Sequence, residues 1–209
     1  VTTVSAVAVD AVGTDLIERT WDALACAGSF FTGAERLAIA RSARAARGEG
    51  GTGAPTSAPV SDATVRIAAE AWTIRPHMIA EWAAAGLDVL AYVEVVSVVA
   101  RVVALDTYVT ALGLPLVPLP APRPGDPEPL VDVAAVVSTG WVPTVGPAKA
   151  TASLSALPRE AAGAEAVTDA LYLSYAGVAD LRHDPRRPIS RPQMELVASR
   201  TSWLNECFY

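Results

Sequence analysis

Residues Asp88 to Leu112 constrain this chain more than any other stretch. The run is rich in valine, which favours a strand, but at about 25 residues it is far longer than a strand normally reaches. Its polar residues Glu94, Ser97 and Arg101 recur at i, i+3 and i+7, which places them on one stripe of a helix. The run therefore reads as a long buried helix, around which other helices must pack.

The flanking segments fit that expectation. Asp15 to Ala46 reads as helical, with Leu16, Ile17, Trp21 and Leu24 at helical spacing and a break at Phe30-Phe31-Thr32-Gly33. A second helix is expected over Ala34 to Arg47. Gly48 to Pro59 reads as a loop; its glycines lack the preceding strand and the Lys-Ser/Thr of a phosphate loop. Further helices are expected from Ser61 to about Thr73 and from Ile74 to Ala85, with Gly86 as a C-terminal cap. The proline-rich run Leu114 to Pro129 loses amide donors and has its φ angles fixed, so it reads as extended and as the best domain boundary. Residues Leu130 to Leu157 are mixed and expected to wrap over the helices, and helix resumes from about Arg159 to Leu181. These breaks divide the chain into a helical domain at 1–113, a proline-rich and irregular segment at 114–158, and the start of a second helical domain at 159–209.

Composition excludes several functions. A net charge of −6 and a pI near 4.9 argue against a general nucleic-acid binder. No window offers the roughly 20 uninterrupted apolar residues of a membrane span, and no basic region precedes the apolar N-terminus as in a secretory signal. Two cysteines in 209 residues make no disulfide framework. A cytoplasmic protein with reduced thiols is the simplest expectation, with neither a membrane nor a nucleic acid as partner. His77 and His183 are isolated from thiol or acid clusters, so neither a metal nor another cofactor is expected. His77 reads as a surface or capping group and His183 as part of a solvated turn, while Cys26 reads as a core cysteine.

The last fifteen residues carry the chemistry. Ser190 followed by Gln193 makes a capping box, Ile189 and Met194 occupy hydrophobic-staple positions, and Pro192 lies in the first turn, so a helix should start there. Glu195 lies on it, and Cys207 follows after eleven intervening residues. Twelve helical positions carry a side chain about 120° past whole turns and roughly 18 Å along the axis. A turn near Asn205-Glu206 is therefore needed to bring Cys207 back towards the carboxylate. Cys207 taken alone also reads as a small apolar residue near a helix end.

The segment Glu195 to Cys207 resembles the opening of the active-site motif of the alkyl hydroperoxidase D/carboxymuconolactone decarboxylase superfamily: Glu, eleven residues, Cys-x-x-Cys, then His after three more. The Asp88 to Pro120 region is similar, more loosely, to the long helix and Leu-Gly-Leu-Pro exit of tandem members. The resemblance implies an all-α helical bundle of the alkyl hydroperoxidase D-like type, with a degenerate first repeat and an incomplete second one. Ala34 to Ala43 aligned with Gln193 to Ser202 sets Arg36 opposite Glu195 and Gly48 opposite Cys207. The resemblance also implies a proton-relay role for Glu195 and the first thiol of a redox pair for Cys207, with the second cysteine and the histidine falling beyond Tyr209. The implied function is an antioxidant, thiol-dependent peroxidase acting on a small hydroperoxide with a thiol reductant, in a homo-oligomer. Two alternatives stay open: a carboxymuconolactone decarboxylase-like enzyme, and a non-catalytic helical oligomerisation module.

Overall fold

A computed structural model describes residues 9–50, 52–54, 56–184 and 188–206. Among the described residues the architecture is all-helical: α1 (Ala11–Ala25), α2 (Gly33–Ala46), α3 (Ala58–Ala69), α4 (Pro76–Ala84), α5 (Val89–Ala111), α6 (Pro158–Leu171), α7 (Tyr175–Ala179) and α8 (Arg191–Leu204). Short 3-10 turns lie at Ala71–Thr73 and Ala150–Ala152, and one isolated bridge pairs Val136 with Thr144. None of the described helices is long and apolar enough to cross a membrane.

The valine-rich run is the single helix α5, the axis of the bundle. Its buried residues, among them Val95, Val98, Val99, Val102 and Leu105, go around most of its circumference, and α2, α3, α4 and α6 pack against it. Removing that much aliphatic surface from water is the main force holding the bundle together. α1 covers α2 and α6 with Leu16, Ile17, Trp21 and Leu24. It begins four residues earlier than its apolar spacing indicates, because the Asp10 carboxylate accepts the Gly13 amide at 2.7 Å and caps the first turn. α2 opens on the capping box of Thr32 and Glu35, and Gly86, at φ +102°, ends α4 as expected.

The proline-rich run is extended, as its composition demands, and is pinned to the bundle. The Arg123 amide donates to the Ala25 carbonyl at 2.8 Å and the Glu128 amide to Gly28 at 3.0 Å. Leu114, Val117 and Leu119 pack on the core. These few non-proline donors hold a strap whose prolines have no amide hydrogens to give. Beyond the strap, residues 130–157 wrap over α5, with Leu154 and Leu157 buried against Val93. Helix α6 then returns to pack on α1 and α5. Helix α6 thus packs on the same core as the helices before the proline-rich run.

Helical structure after Tyr172 is shorter than the sequence indicates. Helix α6 stops at Leu171, and the five-residue α7 is set off by Ser174, whose hydroxyl accepts the Gly177 amide at 3.0 Å.

Candidate functional site

Helix α8 starts where the sequence places it. The Gln193 side chain reaches back to accept the Ser190 amide at 2.8 Å and its hydroxyl at 3.0 Å. Met194 is buried, whereas Ile189, its expected staple partner, is 44% exposed. The next residue, Glu195, accepts from the Tyr172 hydroxyl at 2.8 Å and from Arg191 Nε at 2.6 Å through the same oxygen, Oε1. Arg191 also donates to the Gly177 carbonyl at 2.7 Å. The guanidinium thereby ties α8 to the C-terminal carbonyls of α7, the end of a helix that favours a cation. The Tyr172 hydrogen bond first, and Arg191 second, hold the Glu195 carboxyl below its ordinary range, so it is ionised at neutral pH.

α8 ends at Leu204. Asn205 caps it by donating its side-chain amide to the Thr201 carbonyl at 2.8 Å, and Glu206 turns into the left-handed region at φ +52°. The chain thus turns at Asn205-Glu206. Cys207, and with it the approach to Glu195 that this turn was expected to serve, lies outside the described residues. Cys26 is half-buried at the C-cap of α1 rather than inside the core. His77 is exposed, as expected, but His183 is not simply solvated. Its ring packs against Gly177, where an added Cβ would come within 3.0 Å of Cδ2. Arg191, which holds Glu195, and His183 thus both meet Gly177.

The second concentration of charge is sealed inside the bundle. Arg36 from α2, Glu94 and Arg101 from α5 and Glu160 from α6 are each at most 3% exposed. Arg36 Nη1 bridges Glu94 and Glu160 at 2.9 Å each, and Arg101 pairs with the other Glu160 oxygen. The Phe30 amide donates to Glu94 at 2.7 Å. Two close approaches make room for these groups. A Cβ on Gly28 would lie 1.9 Å from Arg36 Nη1 and Glu94 Oε1, and one on Gly163 would lie 2.7 Å from Arg101 Nη1. Only glycine lets the α1–α2 turn and α6 come this near.

The two glutamates behave differently. Burial pushes Glu94 up, only partly offset by Arg36. Burial acts on Glu160 too, but Arg101 and Arg36 together outweigh it and hold that carboxyl down. Burial also lowers Arg101, against the pull of Glu160; a guanidinium titrates so far above neutrality that it keeps its charge. Ser97 lies near enough to Glu160 to favour the ionised form, yet its Oγ makes no aligned hydrogen bond, and Ser29 Oγ and Arg36 Nε are likewise without one. Beside this cluster, Arg44 grips Asp106 with two bonds of 2.7 Å, donates to Val117 in the strap at 2.9 Å, and lies over Trp21. Through these pairs α2 is joined to α5 and α6, and α6 to α5.

The sequence signalled part of the cluster. Glu94 and Arg101 stand out on an apolar helix, and Arg36 falls opposite Glu195 in the internal alignment. Glu160 gave no signal, because nothing local distinguishes it from a solvated first-turn glutamate. A cavity of about 480 Å³ between α4, α5 and residues 139–154 also went unmarked. No group of three or more His, Cys, Asp or Glu side chains suited to a metal occurs among the described residues.

No family model, curated protein or solved structure matches the chain.

Proposed function

We propose that the chain carries thiol-dependent, peroxidase-like oxidoreductase chemistry at its C-terminal helix, with Glu195 as proton-relay group and Cys207 as one reacting thiol. The observation that supports this reading best is the ionised Glu195, fixed by Tyr172 and Arg191 on a capped helix that turns just before the cysteine. In hydroperoxide reduction a thiolate attacks the terminal oxygen, the O–O bond breaks, the sulfur becomes a sulfenic acid and the alkoxide leaves as alcohol after gaining a proton. A second thiol then attacks the sulfenic sulfur, forming a disulfide and releasing water, and a thiol reductant restores both groups. Cys207 has to lose a proton in either thiol role, and an ionised Glu195 accepts it and returns it to the departing oxygen.

The test uses a Cys26→Ser background, so that Cys207 is the only thiol. Its oxidation by cumene hydroperoxide is followed by trapping the sulfenic acid with dimedone across a pH series. Glu195→Gln is expected to slow trapping at least about tenfold at neutral pH and to remove the limb of the profile that Glu195 supplies. An unchanged rate and profile would overturn the assignment.

A second reading is a non-catalytic helical module that self-associates. Leu196, Val197, Trp203 and Leu204 on α8, with Leu181 before it, are each at least 60% exposed. A clustered apolar surface of this kind favours contact with another apolar surface.

A further inference from the structure

The cavity beside α5 is built from two unlike walls. Ile79 from α4 and Tyr92, Val93 and Val96 from α5 form an apolar helical wall, and the irregular segment from Thr139 to Leu154 closes the other side with Trp141 and Lys149. At about 480 Å³ it has the size of a small-molecule site. Two polar groups in this lining lack a partner. Tyr92 is 94% buried, since only 6% of it is exposed, and its hydroxyl makes no hydrogen bond among the described residues. Its ring is held by stacking on Trp82 at 5.4 Å. Lys149 is the chain's only lysine and has no ion pair among the described residues.

The Tyr92 hydroxyl, unlike the sealed Ser29 and Ser97 hydroxyls, is not closed off from solvent, so it is free to donate to a ligand in the cavity. Burial pushes the Tyr92 phenol up to about 12, so it stays a neutral donor at physiological pH. One donor and one cation beside an apolar wall suit a ligand with an alkyl or aryl body and a single negative head. A dianionic phosphate would keep an uncompensated charge beside one lysine, on a protein whose net charge is already −6. We propose that this cavity binds a small, largely apolar monocarboxylate, with its hydrocarbon against Val93 and Val96 and its carboxylate at Lys149. The site shares no residue with Glu195 and its partners, so it stands or falls apart from the peroxidase reading.

Octanoate, octanol and octylamine, each titrated calorimetrically into the protein, separate the head-group contribution from that of the chain. Octanoate is expected to bind about three- to tenfold more tightly than octanol, and octylamine more weakly than either, because an exposed ion pair adds only modestly to apolar burial. Lys149→Met keeps the stem and removes the charge. It is expected to abolish the preference for octanoate over octanol and to leave octanol binding unchanged. A bromine-labelled alkyl carboxylate locates the site without a bulky core substitution: it should quench tryptophan fluorescence in the native protein and quench much less in Trp141→Phe. The proposal is overturned if no saturable binding occurs, if octanoate and octanol bind equally, if the preference survives Lys149→Met, or if Trp141→Phe leaves the quenching unchanged.

Discussion

The bundle around α5 and the α7–α8 region invert each other's surfaces. In the bundle, charged groups lie inside: Arg36, Glu94, Arg101 and Glu160 are walled off from water by the helices and the α1–α2 turn. At α8 the apolar groups lie outside, with Leu196 at 71% and Trp203 at 70% exposure, while the polar contacts of Arg191 do the fastening. A buried ion needs its partners to hold its charge, so the first arrangement depends on every member being present. Exposed apolar side chains gain little from their own chain, so the second is open to a partner. The first region thus joins the helices of the bundle, whereas the second leaves apolar side chains facing solvent.

The sharpest way to break this contrast is to remove a charge from the sealed cluster. Glu160→Ala leaves Arg36 and Arg101 facing each other without their shared carboxylate. It is expected to cost about 3–5 kcal/mol, measured by the urea midpoint and slope at neutral pH. A cost within the range of a surface substitution would show that the cluster is not structural. Glu94→Gln should be milder, about 1.5–3 kcal/mol, because burial already moves Glu94 towards its neutral form.

The pH dependence of the two glutamates sharpens the comparison within the cluster. Glu94 has a raised folded pKa, so the native state holds its proton more tightly than the unfolded chain. Its contribution is fully present below the ordinary glutamate pKa and is lost as pH rises through the folded value. Glu160 has a lowered folded pKa, so its contribution is present above the ordinary value and is lost as pH falls through the folded one. Stability measured from acid to neutral pH should therefore change in opposite senses. Glu94→Gln reduces the decline as pH rises above the ordinary carboxylate range, and Glu160→Gln reduces the decline on acidification. Identical profiles would contradict the division of roles.

At α8 the expected effects on folding are smaller and local. Arg191→Met removes the bonds to Glu195 and Gly177, which should raise amide exchange in α8 by about tenfold and leave α5 unchanged. Loss of protection throughout the bundle would mean that the two regions are not energetically distinct. Least costly to the fold is the pair Leu196→Ser with Trp203→Ser. It should change stability by no more than about 0.5 kcal/mol for each substitution and reduce self-association in sedimentation equilibrium. An unchanged association state would argue against α8 as a contact surface.

Much of this was legible locally. Helix α5 followed from the length of its apolar run and the spacing of Glu94, Ser97 and Arg101, because a helix brings positions i, i+3 and i+7 onto one side whatever surrounds it. The start of α8 followed from Ser190 and Gln193, since a capping box is satisfied within four residues. The turn at Asn205-Glu206 was expected only on the premise that Cys207 comes back towards Glu195, because helical geometry by itself would let α8 run straight on. The meeting of Arg36 with Glu160 was not legible: their hydrogen bonds span 124 positions, and no local rule selects one surface-like glutamate out of 22 acidic residues. The role of Tyr172 was hidden for a similar reason, lying 23 positions from Glu195 across the α7 turn.

By itself the sequence determined where α5 lies and where α8 starts, because apolar periodicity and a capping box act over a few residues, whereas α1 starts earlier and α6 stops sooner than local signals indicate. It also determined that the proline-rich run must be extended. Only the tertiary structure decided that this run is a strap rather than a divide, since that depends on which carbonyls of the α1–α2 turn lie within reach of Arg123 and Glu128. It alone turned the polar stripe of α5 inward, where α2 and α6 supply the opposite charges. It also opened a cavity at Tyr92 and Lys149, where segments far apart along the chain meet without filling the space between them.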